Sequence, residues 1–425
     1  MGPAAAPRGP AAHPHPVAPD QSHRRGLWSL RTLFTLDGAA AAALLPFFAL
    51  LLRERGLGPE TIGFVLAATS LASAAALPLW SHFSDTRLGP VRTLRLAMAA
   101  TVVAAIAFAL SGSSLPIIVS LAALLYACGV PAAALCDTLA LAHLGADRIT
   151  EYGRIRLWAS VGWAIAVIAL GAVYEATGLE SVPLLYAAGI VAIALWTYRL
   201  PTTAPTPQRS ESRLGALGDV VRESPRLLAF LAGLFLVGGA SSAAVSFLGL
   251  RIVGRGGGTF LVGLAAGVIA CVEIPIMAAS DPLARRFGAR DLFVAGAFSF
   301  VLVFAGWALI DDPLVLSLVA GAEGIAFALR YVGGVLIVGR LVPARLLASG
   351  QGLAQVVGFY IAPVVGALIG GIVYARIGPP ALFAGAAAAC ATGAAIVWVA
   401  LPSRDQSQST ATVTRDEIEL PDENQ

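Results

Sequence analysis

The sequence predicts an all-α membrane protein: twelve transmembrane helices in two pseudo-symmetric six-helix bundles. Three observations carry this. Mean hydropathy is +0.80, with only 12% of 425 residues charged, about half the ~25% of an ordinary soluble chain. Apolar runs long enough to cross ~30 Å of hydrocarbon recur along the chain. A polar stretch near the middle divides those runs six and six, as expected for two bundles related by pseudo-symmetry.

Residues 1–26 are rich in Pro, Ala and His and hold no apolar run. They read as a disordered tail, because such a composition cannot bury a core. No small-residue cleavage site follows a short apolar core, so they do not read as a signal peptide. His13, His15 and His23 sit in this low-complexity stretch and read as solvated rather than metal-binding. The apolar spans then fall near 28–52, 60–80, 94–111, 116–144, 156–175 and 183–200 in the first half, and near 227–252, 259–281, 291–310, 313–340, 349–375 and 381–401 in the second. The expected organisation is an N-terminal bundle over 27–200, a central loop over 201–225, a C-terminal bundle over 226–401 and a disordered tail over 402–425. Gly366 and Gly370 form a small-xxx-small stripe in the eleventh span, which suits close helix packing in lipid.

Arginine distribution sets the expected orientation. All 28 basic residues are arginine. With the N-terminus inside, the inner segments hold Arg24, Arg25, Arg87, Arg92, Arg95, Arg148, Arg154, the set from Arg199 to Arg226, Arg285, Arg286, Arg290, Arg340 and Arg345, while the outer loops keep Arg53, Arg55, Arg251, Arg255 and Arg376. This bias places both termini in the cytoplasm. The Ala-, Gly-, Pro- and Arg-rich composition suggests a GC-rich bacterial genome, hence the plasma membrane. A net charge of +3 implies no nucleic-acid partner. Cys128, Cys136, Cys271 and Cys390 lack metal spacing and read as buried free thiols. No catalytic motif or Walker loop is present, so the chain is not read as an enzyme, ATP does not drive it directly, and no metal or cofactor is expected.

Ionisable groups inside membrane spans cost several kcal/mol and need a reason. They are Asp37, Asp137, Arg156, Glu273, Glu323 and Arg330. In "YGRIRLWASVGWA", Trp163 follows Arg156 by seven residues. That is two helical turns, so Arg156, Ser160 and Trp163 share a face. Arginine offers a planar fork of donors for hydroxyls or a carboxylate, and tryptophan a flat face on which a sugar or aromatic ring can lie. The alternatives are an arginine that snorkels to the interface and an indole that only packs. Asp137 lies about two turns before the loop and Arg156 a similar distance after it, so an antiparallel hairpin sets them at comparable depth; Asp137 could instead bond a hydroxyl. Asp37 precedes a glycine that permits close helix approach, and its alternative is a helix–helix hydrogen bond. Glu273 precedes Pro275, where a kink can turn it to a cavity. Glu323 and Arg330 are seven residues apart, about 10 Å in rise, too far for an easy direct bond. A carboxyl shielded from water can be held neutral and then ionised, which is a physical route to proton coupling. His143 ends the fourth span and reads as an interfacial helix-end residue.

The loop after the second span reads "SHFSDTRLGPVRTL" and that after the eighth "SDPLARRFGARDL". Both resemble the loop of the major facilitator superfamily, an acid followed by basic residues and a glycine: Asp85, Gly89 and Arg92 in one copy, Asp281, Arg285, Arg286 and Gly288 in the other. In the first copy the distance from Asp85 to Gly89 is one residue longer than the usual spacing. The resemblance implies gating loops that lock the cytoplasmic side. The "YGRIRLWASVGWA" stretch resembles the fifth helix of the lactose permease and its sugar- and phenylpropionate-permease relatives. "LPFFALLLRERGLGPETIGFVLAATSLASAAALPLW" resembles their first two helices, and "VEIPIMAASDPLARRFGARDL" is similar to the eighth helix of sugar efflux transporters and permeases. That resemblance implies a substrate-contacting Arg156, a ring-stacking Trp163 and a membrane acid at Glu273. The chain departs from the lactose permease in having no arginine in the ninth span and Glu323 and Arg330 in place of a histidine–glutamate pair in the tenth.

The expected function is a secondary transporter working by alternating access, a proton symporter of a small organic solute, sugar or aromatic-acid-like. Arg156, Ser160, Trp163 and Asp137 are its substrate site; Glu273, Glu323, Asp37 and Arg330 its proton-coupling set. The lipid bilayer and the solute are its partners, and it is expected to be a monomer. The competing readings are a proton-coupled exporter of sugars or drugs and a non-transporting assembly factor on the same fold.

Overall fold

The computed structural model describes residues 21–144, 151–200, 220 and 222–402. The expected tails, most of the central loop and Arg148 lie outside the described residues. Among the described residues, twelve helices are long and apolar enough to cross a membrane: α1 Gly26–Glu54, α2 Pro59–Leu88, α3 Pro90–Ala109, α4 Leu115–Leu144, α5 Tyr152–Thr177, α6 Leu179–Arg199, α7 Pro225–Gly254, α8 Thr259–Ala278, α9 Ala289–Leu309, α10 Pro313–Leu341, α11 Ala344–Arg376 and α12 Pro379–Ala400. The helical stretch of α1 begins earlier, at Gln21, within the expected tail.

The helices pack as two bundles with matching contacts. In the first, α1 lies against α5 and α6, α3 against α4 and α6, and α2 against α4; in the second, α7 lies against α11 and α12, α9 against α10 and α12, and α8 against α10. The backbone repeats the symmetry. Glycines with positive φ fall in three pairs, Gly56 with Gly256, Gly89 with Gly288 and Gly178 with Gly378, at corresponding turns of the two halves. Side chains do likewise. Arg95 donates to the Thr197 carbonyl at 2.8 Å and lies 4.1 Å over Tyr198. Arg290, its counterpart, donates to the Leu401 carbonyl at 3.2 Å and lies 4.2 Å over Trp398. Each arginine ties the start of a third helix to the end of a sixth.

The unusual spacing of the loop after α2 has a structural form. Ser84–Leu88 is a π-helical turn, which accommodates one extra residue without ending the helix. The second copy, Ser280–Phe287, is a short α-helix. Both end at a glycine in the left-handed region, Gly89 at φ 73° and Gly288 at φ 85°, which a side chain disfavours.

Between bundles the main contacts are α2 on α11 and α5 on α8. Both seams are built on small residues. A Cβ on Gly371 would lie 2.7 Å from the Pro59 carbonyl oxygen and 3.0 Å from the Gly63 Cα; one on Gly171 would lie 2.8 Å from the Thr259 carbonyl oxygen. Three polar contacts fasten them. Thr259 donates to the Gly171 carbonyl at 2.9 Å, the Glu175 carboxylate accepts from the Phe260 amide at 2.9 Å, and Arg376 pairs with Glu60 at 3.1 Å. All these residues sit toward the loops that follow α1, α5, α7 and α11, so the molecule is shut on that side.

Candidate functional site

The shut seams close one end of a 560 Å³ cavity between the bundles. Its N-terminal wall carries Asp37, Thr69, Ser70, Tyr126, Arg156, Ser160 and Trp163, and its C-terminal wall Ser242, Ser246, Glu273 and Glu323. The rest of the lining is mostly small or apolar.

The wall is set by how α1 and α5 cross. Gly38 packs its Cα onto the Ala159 carbonyl, and Gly162 packs onto the Thr35 carbonyl. Backbone contact at these two points leaves Asp37 beside the turn of α5 that bears Arg156 and Ser160. The glycine after Asp37 thus works as the sequence suggests, but Asp37 makes no hydrogen bond to a neighbouring helix among the described residues.

Arg156 Nη1 donates to Asp137 Oδ1 at 2.9 Å, and their side chains are 52% and 32% exposed. Asp137 therefore holds the guanidinium from α4, behind the wall that Arg156 lines. Trp163 is half-buried, packed partly against the core, with the rest of its face on the cavity.

On the C-terminal side, α8 and α10 cross at Gly324, where an added Cβ would lie 2.8 Å from the Glu273 amide nitrogen. Glu273 and Glu323 are thereby brought together on one wall. Glu323 is 6% exposed and follows a break in α10 at Ala320, whose carbonyl accepts its amide at 2.9 Å. Arg330 stands apart. It is 3% exposed, does not line the cavity, and lies 5.3 Å from the Phe327 ring and 5.5 Å from that of Phe359. Among the described residues its Nε has no hydrogen-bond partner, and it forms no ion pair with Glu323.

The two loops expected to gate lie away from the cavity, on the side opposite the shut seams. Asp85 is half-buried and makes no hydrogen bond or ion pair among the described residues, and Arg92 is exposed. Arg286 lies 5.3 Å over the Phe287 ring. The side chains of Asp281 and His23 are outside the described set. His143 ends α4, with its ring against Gly26 of α1. Cys128, Cys136 and Cys390 are buried free thiols, whereas Cys271 is exposed, since its face of α8 turns outward from the bundle interior.

Sequence reasoning missed Thr69, Ser70, Tyr126, Ser242 and Ser246 on the wall. Ser242 and Ser246 had a signal: four residues apart in "GGASSAAVSF", they share one face of α7. Tyr126 had none, because its ring packs 5.3 Å from that of Phe48 like any core aromatic.

Two six-helix bundles around a central, charged cavity define a multi-pass transporter of the major facilitator superfamily. The chain belongs to the MFS_1 like family, whose profile matches residues 27–384. It is 29% identical over 339 residues to a maltose permease of Geobacillus stearothermophilus, covering 79% of this chain and 85% of that one. It is 28% identical over 263 residues to a probable 3-phenylpropionic acid transporter of Escherichia coli, covering 61% and 68%. Among solved structures, a single-residue mutant of the nucleoside transporter NupG superposes with a TM-score of 0.80 at 17% identity, over 89% of this chain and all (100%) of that one. The human organic anion transporter MFSD10 gives a TM-score of 0.60 at 17% identity, over 89% and 100%. These structural likenesses concern the fold.

Proposed function

We propose that the protein is a proton-coupled symporter of a small ring-bearing organic solute, with sugars favoured. The observation that carries this is the cavity itself: Arg156, held by Asp137, and the face of Trp163 share one wall, and two carboxyls share the other. Arginine presents donors to hydroxyls, the indole presents a face to a ring, and carboxyls out of bulk water can carry protons. The relatives named for maltose and for a phenylpropionate support a ring-bearing solute. On this reading both termini are cytoplasmic, the protein resides as a monomer in a bacterial plasma membrane, and the described state is inward-facing.

The test is flux in proteoliposomes under an imposed pH gradient. A symporter accumulates solute when the outside is acid. Efflux driven by that same gradient supports the exporter reading, and no gradient-driven flux of any sugar or aromatic solute supports a non-transporting role.

A further inference from the structure

We propose that the cavity takes a solute lacking carboxylate or phosphate groups, and that Asp37 is the residue that rejects anions. The inference rests on the transport reading above and narrows its substrate class.

The wall carries four charged side chains: Asp37, Arg156, Glu273 and Glu323. Only one is a cation, and its Nη1 is already held by Asp137 at 2.9 Å. The nearby Arg330 is unavailable, because it is buried behind the Phe327 and Phe359 rings and off the wall. The three acids, by contrast, make no carboxyl hydrogen bond or ion pair among the described residues. An entering anion would meet an arginine already paired with Asp137 and carboxylates on both walls. A hydroxyl meets acceptors it can satisfy, because an ionised carboxylate only accepts.

Asp37 is singled out by position. The Gly38–Ala159 backbone contact sets it beside the turn of α5 that bears Arg156, and both side chains line the same wall. A carboxylate seeking Arg156 must therefore approach Asp37. Glu273 and Glu323 lie on the opposite bundle, so Asp37 is the acid on the arginine's own wall.

The test uses purified full-length protein and solutes that differ only in charge: glucosamine, glucose and glucuronate on one scaffold; 3-phenylpropylamine, 3-phenylpropanol and 3-phenylpropionate on the other. Binding is read by titration. On the scaffold that binds, the carboxylate member should bind at least tenfold more weakly than its neutral counterpart. Asp37→Asn should narrow that gap to threefold or less, and Asp37→Glu, which keeps the charge, should preserve it. A carboxylate that binds as well as the neutral solute overturns the inference, as does an unchanged gap in Asp37→Asn. If neither scaffold binds, the inference is also overturned, and the flux assay decides separately whether the transport reading goes with it. Flux without charge discrimination leaves transport standing and removes the role of Asp37.

Discussion

Arg156 presents two competing accounts at the residue scale, ligand or interfacial snorkel. Arg156→Lys separates them, since lysine keeps charge and reach but loses the planar fork. We expect solute affinity to fall at least tenfold, about 1.4 kcal/mol; unchanged affinity in well-expressed protein returns the arginine to a topological role. Trp163→Phe should cost less, about 1 kcal/mol, because a ring remains. For the carboxyls, Glu273→Gln and Glu323→Gln should each abolish uphill accumulation while leaving counterflow exchange, because a neutral amide cannot carry the coupling proton. Accumulation that survives in both variants would move coupling to Asp37. The Arg156–Trp163 stripe was legible because it depends only on helical period. The separation of Arg330 from the cavity was not, because a helix position does not say which neighbour its side chain meets.

At the scale of elements, the α5–α8 seam is held by backbone approach rather than by interdigitated side chains. Every near neighbour of a Cβ on Gly171 is backbone, with the Gly263 and Phe260 Cα atoms each at 3.2 Å. Gly171→Val therefore cannot be absorbed by a rotamer change, and the seam must open. A cysteine at Ser246, in a background lacking Cys271, should then react several-fold faster with an impermeant thiol reagent added outside intact cells. An equal rate would mean that the seam yields by some other movement. The Glu60–Arg376 pair at the other seam is a weaker latch. Its side chains are 49% and 68% exposed, and such pairs contribute about 0–1 kcal/mol, so Glu60→Gln should change labelling little. The π-turn at Ser84–Leu88 shows how an element absorbs a sequence irregularity: the extra residue widens one turn and leaves the glycine at its end in place.

For the whole molecule, the arginine bias predicts that both termini and the central loop are cytoplasmic. A cysteine at Ser210 should resist labelling from outside intact cells and react after permeabilisation; ready labelling from outside would invert the molecule and make the shut side cytoplasmic. Asp85, proposed to act in gating, makes no ion pair or hydrogen bond among the described residues, as expected when its side is the open one. In the opposite state it should meet a partner on the facing loop or helix end.

The sequence by itself determined the number of helices, their approximate limits and the two-fold plan. Hydrocarbon thickness imposes a length, and lipid forbids unsatisfied backbone, so apolar runs must become helices. It also determined the face shared by Arg156, Ser160 and Trp163, since that follows from 3.6 residues per turn. Only the tertiary structure decided which charges meet. Asp37 reaches the neighbourhood of Arg156 because two glycines let α1 and α5 touch backbone to backbone, Glu273 and Glu323 share a wall because Gly324 admits α8, and Arg330 is turned away among aromatic rings. Helix crossings in lipid are chosen by the fit of small surfaces over long sequence separations, and no local period encodes that choice.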